Sequence, residues 1–392
     1  MSKISCKAAG KHDLSCGFAN VCGVVLNSYI LLYKEREKMK TYGVIMAGGG
    51  GTRFWPLSRH EEPKQLLNLS GKDLMINETI DRVSTLCDKS DIFIVTNVDQ
   101  VPKMAVATDG RIKPDHILSE PSARNTAACI GYAAFEIVKK YGDGVMCIFP
   151  SDHFIKDEAA FTKILKEAIA VAEEGSLVTM GITPTYPCTG YGYIRFDKNE
   201  PDIAKKVIEF KEKPNLTTAE EYIASGEYAW NSGMFVWKAS VILEQFEKLL
   251  PDVYACLTKI ADAMGTPEEK AVIDEVYPTI PSISIDYGIM EKSDKVKVIS
   301  AEMGWSDVGS WDNLGVLYDE DVQGNVFAGD HLAIDTKGCV TYSKKRLITT
   351  VGVENLIIVE TEDSILVCDK NRSQDVKLIV ERLKADGRDE LL

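Results

Sequence analysis

The sequence lacks the residue patterns that mark several common function classes. Its ten cysteines stand at irregular positions, with no CxxC pair and no Cys/His cluster at zinc spacing. A zinc centre or redox dithiol is therefore not expected, and the thiols read as small buried hydrophobes of a cytoplasmic, reducing compartment. Basic residues are outnumbered, 45 Lys and Arg against 59 Asp and Glu, giving a formal net charge of −14. A nucleic-acid partner needs the opposite balance, although a local basic pocket for a small phosphorylated ligand is compatible with an acidic whole. No apolar run approaches the roughly 20 residues of a membrane span, so no membrane partner is expected. Whole-chain disorder is excluded by the 45% apolar content, and 392 residues suffice for two domains.

Two standard nucleotide loops are also missing. The stretch VIMAGGGGTRFWPLSR, residues 44–59, places four glycines directly after a short apolar run. No GK[ST] follows, so it is not a Walker A loop. A dinucleotide fingerprint read from Gly48 ends on Arg53, where its last glycine belongs. What remains is a strand followed by a glycine-rich turn that carries an arginine. Consecutive backbone N–H groups in such a turn form an anion nest. A guanidinium in the same loop matches phosphate oxygens bidentately and stabilises charge on a leaving group. Four glycines are costly for a turn with no ligand. Lys64, in EEPKQLL, adds a second cation nearby. Alone it would read as surface decoration; beside Arg53 and the glycines it becomes a phosphate ligand candidate.

From residue 40 to about 300, short apolar runs alternate with helix-like stretches. TYGVIM (41–46), DIFIVTN (91–97), GVMCIFP (144–150) and SLVTMGI (176–182) read as strands. Residues 74–87, 123–142 and 158–175 carry helical periodicity. Alternation of this kind implies parallel pairing and a sheet covered on both faces, with ligands outside the carboxyl ends of the strands. From about residue 322 the pattern becomes short β-branched runs split by turns, closed by a helix over 375–383. The domains are thus read as 39–321 and 322–392. For residues 1–38 the simpler reading is a biological start at Met39, with a true N-terminal extension as the alternative; an apolar stretch at 18–33 has no small-residue cleavage site after it.

GGGGTRFWPLSR followed by PKQ resembles the opening motif of sugar nucleotidyltransferases, and within them that of mannose-1-phosphate guanylyltransferases, or GDP-mannose pyrophosphorylases. The family's usual form is GGxGTRLWPLSR, with Phe54 here in place of its leucine. The resemblance runs in order over about residues 40–380. It implies an α/β fold with a Rossmann-like, mixed, mostly parallel sheet of the nucleotide-diphospho-sugar transferase type and a small C-terminal β-rich, β-helix-like domain. It also implies GTP and mannose 1-phosphate as substrates and Mg²⁺ as cofactor, with a homo-oligomer as a candidate assembly. Longer relatives carry a C-terminal isomerase domain; no isomerase activity is expected here.

The nucleotide side of the site is assigned to Ala47, Gly48, Gly49, Gly50, Gly51 and Thr52, together with Glu120, Asn125 and Thr126 of EPSARNTAA. The last three suit hydrogen bonds to a base edge, guanine by the resemblance, and serve equally well as helix caps. Asp152, in FPSDHF, sits just past a strand end, where a hard oxygen ligand suits Mg²⁺. A turn or cap role is its alternative, although Asp157 is better placed to cap the next helix. His153 reads as structural. Asp307, in WSDVGSW, is a weak signal alone and matches the family's second metal aspartate by resemblance.

Three segments would hold the sugar phosphate: Gly190 and Gly192 of TGYGYIRF, Glu212 and Lys213 of FKEKP, and Asn231 of WNSGMFVWK. Each alone reads as a turn or strand end. Lys211 departs from the family's FVEKP; strand alternation puts it on the face of Lys213, or it points to solvent at a bend. Asp286 and Glu291 are assigned to the sugar side by resemblance only.

The reaction so implied is in-line attack by a sugar 1-phosphate on the α-phosphate of a nucleotide. The attacking phosphate is already ionised, so no general base is needed, and the motifs offer no Ser-His-Asp set. Catalysis would rest on positioning and charge stabilisation by Arg53, Lys64, Lys213 and the metal aspartates Asp152 and Asp307. The competing readings are the same chemistry on another sugar 1-phosphate, a non-catalytic nucleotide-sugar sensor, and an NAD-dependent oxidoreductase. A sensor would be expected to have lost Arg53, Lys64 or an aspartate, and the broken fingerprint argues against NAD.

Overall fold

In the computed structural model, which describes residues 39–211 and 213–392, the apolar run TYGVIM is strand β1 (Thr41–Met46), buried through its centre. Its companions in chain order are β2 (Ile92–Asn97), β3 (Ile117–Glu120), β4 (Val145–Pro150), β5 (Phe154–Ile155), β6 (Leu177–Ile182), β7 (Tyr193–Phe196), β8 (Ala204–Lys211), β9 (Tyr228–Lys238), β10 (Val296–Ser300) and β11 (Trp305–Ser306). The reading of residues 1–38 and the assignment of Glu212 lie outside the described residues.

Nine of these strands form one sheet in the order β3-β2-β1-β4-β9-β6-β10-β8-β7. β1, β2, β3 and β4 pair in parallel, as do β6 and β10. β9 enters antiparallel between β4 and β6, so pairing is not parallel throughout. The sequence shows little sign of a strand this long, because WNSGMFVWK alone reads as a turn or strand end. Its burial pattern explains why: the strand is covered on both faces and shows no period-two alternation. β3 carries no strand reading in the sequence either, and EPSARNTAA begins on its last residue, Glu120.

Helices Asn125–Tyr141, Ala239–Leu249 and Pro251–Ala263 pack together and share one large apolar core with the sheet. Parallel pairing also positions the site. Met46 lies opposite Pro150, and Ser151 N–H donates to Met46 O at 3.1 Å. The glycine loop after β1 and the Ser-Asp-His turn after β4 therefore leave the sheet side by side.

The C-terminal strands are β12 (Val326–Ala328), β13 (His331–Ile334), β14 (Val340–Ser343), β15 (Ile348–Val351), β16 (Leu356–Glu360) and β17 (Ile365–Asp369), followed by helix Val376–Ala385. β12, β14 and β16 stack in parallel, with Val326 opposite Val340 and Val340 opposite Ile357, while β13 and β15 stack as a second parallel pair. Successive turns of chain laid one on another in this way are a β-helix-like coil, which β17 closes in antiparallel fashion. Its inward residues Val340, Ile357 and Val359 join Phe54, Trp55, Leu57 and Trp311 in a single apolar cluster. Full burial of each such side chain contributes about 1.5–3 kcal/mol.

Candidate active site

The glycine loop divides its neighbours between two environments. Phe54 is fully buried, its ring 4.9 Å from that of Trp311. Arg53 turns the other way, into a cleft of about 900 Å³ at the strand ends. Gly51 adopts φ +61°, and a Cβ there would stand 2.3 Å from Lys64 Cβ. Gly51 O is held by Ser58 Oγ at 2.7 Å and by Phe54 N–H at 2.9 Å. Gly48 and Gly49 form cleft wall, and Gly49 has open space where a side chain would be. Ala47 differs from its sequence assignment. It is fully buried, its N–H donates to Val95 O, and its carbonyl accepts from Gln65 Nε2 and Thr96 Oγ1 at 2.9 Å each. It anchors the loop and does not reach the cleft. Gly50, Gly51 and Thr52 likewise lie off the wall.

Lys64, a phosphate ligand candidate from the sequence, does not line the cleft. It is 4% exposed and lies beneath the two aspartates. Its Nζ donates to Asp152 Oδ2 at 2.8 Å, to Asp152 O at 3.0 Å and to Asp307 O at 2.7 Å. One ammonium thus ties together two turns that lie 155 residues apart by number, 307 − 152. Burial pushes the Asp152 carboxyl up, but the charge and hydrogen bond of Lys64 outweigh it and hold the group below its ordinary value. Asp152 itself lies off the wall formed by His153 and Asp307. Burial pushes His153 down to about 4. Its Nδ1 accepts from Trp305 Nε1 at 3.1 Å, as the neutral ring requires, in keeping with a structural role. Asp307 Oδ1 accepts from Tyr191 OH at 2.8 Å. Burial and the neighbouring Asp307 charge push that phenol far up, so it stays a donor.

Glu120 ends β3 on the cleft wall and accepts from Tyr277 OH. Burial raises its carboxyl above the usual value, with the Tyr277 bond acting in opposition. Asn125 holds φ +65° and its Oδ1 accepts from Thr126 N–H at 2.8 Å. Thr126 Oγ1 accepts from Ile285 N–H at 2.8 Å. Neither caps the helix Asn125–Tyr141, which has no side-chain cap, and both face the cleft.

On the opposite wall stand Gly190, Gly192, Lys213 and Asn231. Asn231 N–H donates to Gly192 O at 2.8 Å, and its Nδ2 donates to Asp286 Oδ1 at 2.8 Å. Its Oδ1 accepts from Gly233 N–H at 3.2 Å, which sets the amide's orientation. Asp286 opens a single π turn, Asp286–Met290, on the wall, and Glu291 is exposed at its far end. Alternation breaks at the end of β8: Lys213 has φ +48° and faces the cleft, whereas Lys211 is half exposed and pairs with Glu209 at 2.9 Å. Lys211 therefore belongs to the solvent side.

Sequence reasoning passed over Arg124, Tyr191, Trp305, Gln374 and Lys377, all on the wall. Tyr191 stands between the two glycines already singled out and Arg124 beside Asn125, so position alone could have found them. Gln374 and Lys377 carry no local signal, since the C-terminal coil brings them in from more than 300 positions beyond the glycine loop.

A mixed α/β sheet whose adjacent parallel strands deliver a glycine–arginine loop and an aspartate turn to one cleft has the frame of a nucleotidyltransferase. The Nucleotidyl transferase family profile matches residues 42–322, and that of the MannoseP isomerase/GMP-like beta-helix domain matches 329–383. A mannose-1-phosphate guanylyltransferase of Salmonella montevideo is 41% identical over 362 residues, 88% of this chain and 74% of the relative. One from Escherichia coli (strain K12) is 41% identical over 367 residues, 90% and 75%. A crystal structure from Thermus thermophilus, described as a mannose-1-phosphate geranyltransferase, superposes with TM-score 0.81 at 34% identity, over 88% of this chain and 100% of that one. The chain belongs to the mannose-1-phosphate guanylyltransferase family. Among the described residues no helix is long and apolar enough to cross a membrane.

Proposed function

We propose that this cleft makes GDP-mannose from GTP and mannose 1-phosphate. A phosphate oxygen of mannose 1-phosphate attacks the α-phosphorus of GTP. The bond from that phosphorus to the bridging oxygen breaks on the opposite side, and pyrophosphate leaves with the electron pair. The attacking oxygen is already ionised, so no proton needs a base.

The observation that carries this reading is that Arg53, Lys213 and Asp307 face one cleft together with the bare glycines 48 and 49. Arg53 and the loop N–H groups hold the departing phosphates, and Lys213 receives the incoming one. Glu120, Asn125 and Thr126 line the place for the base. Asn231 reads the sugar hydroxyls, with Glu212 assigned the same task from sequence. Lys64 acts from behind: it keeps Asp152 ionised and sets the spacing of the two aspartate turns.

Two carboxylates on turns tied by one lysine fit Mg²⁺, which usually takes one or two carboxylates and leaves its other positions to water and substrate phosphate. Asp152 and Asp307 would hold the ion, and when bound it supplies positive charge to phosphate oxygens.

The test is pyrophosphate release by purified protein with Mg²⁺, crossing GTP, ATP, UTP and dTTP against mannose, glucose and fucose 1-phosphates. Release with GTP and mannose 1-phosphate alone, lost in Asp152→Ala, is the expected result. Release with a different pair overturns the substrate assignment. Silence across the grid with GDP-mannose still bound overturns the transferase reading in favour of a sensor.

A further inference from the structure

The C-terminal coil supplies two residues to the cleft that nothing in the glycine loop motif accounts for. Gln374 Oε1 accepts from Arg53 Nη1 at 2.8 Å. Gln374 Nε2 in turn donates to Ser310 Oγ at 2.8 Å, and the fully buried Ser310 donates to Asp312. The amide is thus oriented at both ends, and through it Arg53 is steered from one nitrogen. Nε and Nη2 of the guanidinium have no partner among the described residues.

Three positions on, Lys377 lies on the same face and on the same cleft wall. Between them Val376 is buried in the cluster that also holds Phe54, so the start of this helix cannot drift away from the loop. Of the cations on this segment, Arg372 pairs with Asp375 at 2.9 Å and Arg382 with Asp386 at 2.8 Å. Lys377 makes no ion pair or hydrogen bond among the described residues. An exposed, unpaired ammonium beside a second cation, on the wall of a cleft in a chain of net charge −14, is placed for an anion that arrives from solution.

We propose that Lys377 is a pyrophosphate contact and that Gln374 is a positioning residue for Arg53, so that the β-rich domain forms the leaving-group end of the site. This rests on the nucleotidyl-transfer reading above. The end is assigned by Arg53: Gln374 touches the glycine-loop arginine, while Lys213 and Asn231 enter from β8 and β9, across β4 from β1.

The test uses the full chain and inorganic pyrophosphate as the probe. Calorimetric binding of pyrophosphate is measured beside the reverse reaction, in which pyrophosphate and GDP-mannose are varied separately. Lys377→Gln should weaken pyrophosphate binding and raise its KM by roughly tenfold, the worth of one partly exposed charged hydrogen bond. The KM for GDP-mannose and the thermal midpoint should stay put, and Lys377→Arg should restore most of the loss. Gln374→Ala should lower kcat in both directions with the KM for GDP-mannose unchanged. Pyrophosphate binding unaltered in Lys377→Gln, or a loss shared equally by GDP-mannose, overturns the inference while an active wild type leaves the transfer reading standing. A wild type that neither releases nor consumes pyrophosphate with any pair overturns both.

Discussion

Replacing Lys64 by methionine removes an ammonium while keeping an unbranched stem of similar length against Gly51. Three hydrogen bonds of 2.7–3.0 Å disappear at once. Removing one partner of a buried pair costs about 3–5 kcal/mol. Asp152 keeps 33% of its side chain exposed, so water takes over part of that loss, and about 2 kcal/mol is the discounted figure. The carbonyls of Asp152 and Asp307 each lose a donor, at about 0.5–1.5 kcal/mol apiece. Chemical denaturation should therefore show Lys64→Met less stable by about 3–5 kcal/mol at pH 7. The second variant gives a change of sign. Asp152→Asn should destabilise the wild type, where it strands the ammonium, and stabilise Lys64→Met, where it removes a stranded carboxylate. The acid limb follows from the lowered Asp152 pKa. A carboxyl depressed on folding contributes stability above its unfolded value, ordinarily 3.8, and loses it as pH falls through the folded value. The gap between wild type and Lys64→Met should hold at neutral pH and narrow as pH falls below 3.8, leaving the share owed to the two carbonyls. A penalty under about 1 kcal/mol, or the same sign for Asp152→Asn in both backgrounds, would refute the placement of Lys64 as the tie between the two turns.

Gly51→Ala should cost at least about 2 kcal/mol in denaturation, because φ is +61° and the new methyl would meet Lys64 Cβ at 2.3 Å; a neutral outcome would contradict the loop geometry. Tyr277→Phe removes the donor that opposes the burial of Glu120. A carboxyl raised on folding loses stability as pH rises above its unfolded value, so this variant's penalty should be small at pH 4 and about 1–2 kcal/mol at pH 7; an equal penalty at both would show that Glu120 does not feel the bond. Phe54→Ala should cost about 3–5 kcal/mol and depress pyrophosphate release by loosening Arg53; a stable variant with unaltered turnover would separate the loop from its apolar anchor.

Much of the site was legible because its chemistry is local. Glycines after a strand and an arginine beyond them suggest a phosphate loop without reference to the rest of the chain, and Arg53 does face the cleft. What stayed hidden depends on distance. Lys64 reads as a phosphate ligand candidate, and only the fold shows the turns after β4 and β11 closing over it. WNSGMFVWK reads as a turn or strand end because a strand buried on both faces loses its alternation, and that strand, Tyr228–Lys238, makes the sheet mixed. Lys211 and Lys213 share a face only while the strand continues, and it stops at Lys211. Gln374 and Lys377 have no motif, since a coil built by stacking carries them to the loop.

Phe54, Trp55 and Leu57 belong by sequence to the catalytic domain, yet they pack in the same apolar cluster as the β-helical strands. Trp311 Nε1 fastens the turn further by donating to Trp55 O at 3.0 Å. A chimera cut at the domain boundary would therefore graft a foreign wall behind its own glycine loop. To exchange β tails between relatives and keep turnover, the turn from Phe54 to Leu57 has to travel with the tail, because inheritance in this molecule follows the packing and not the order of the chain.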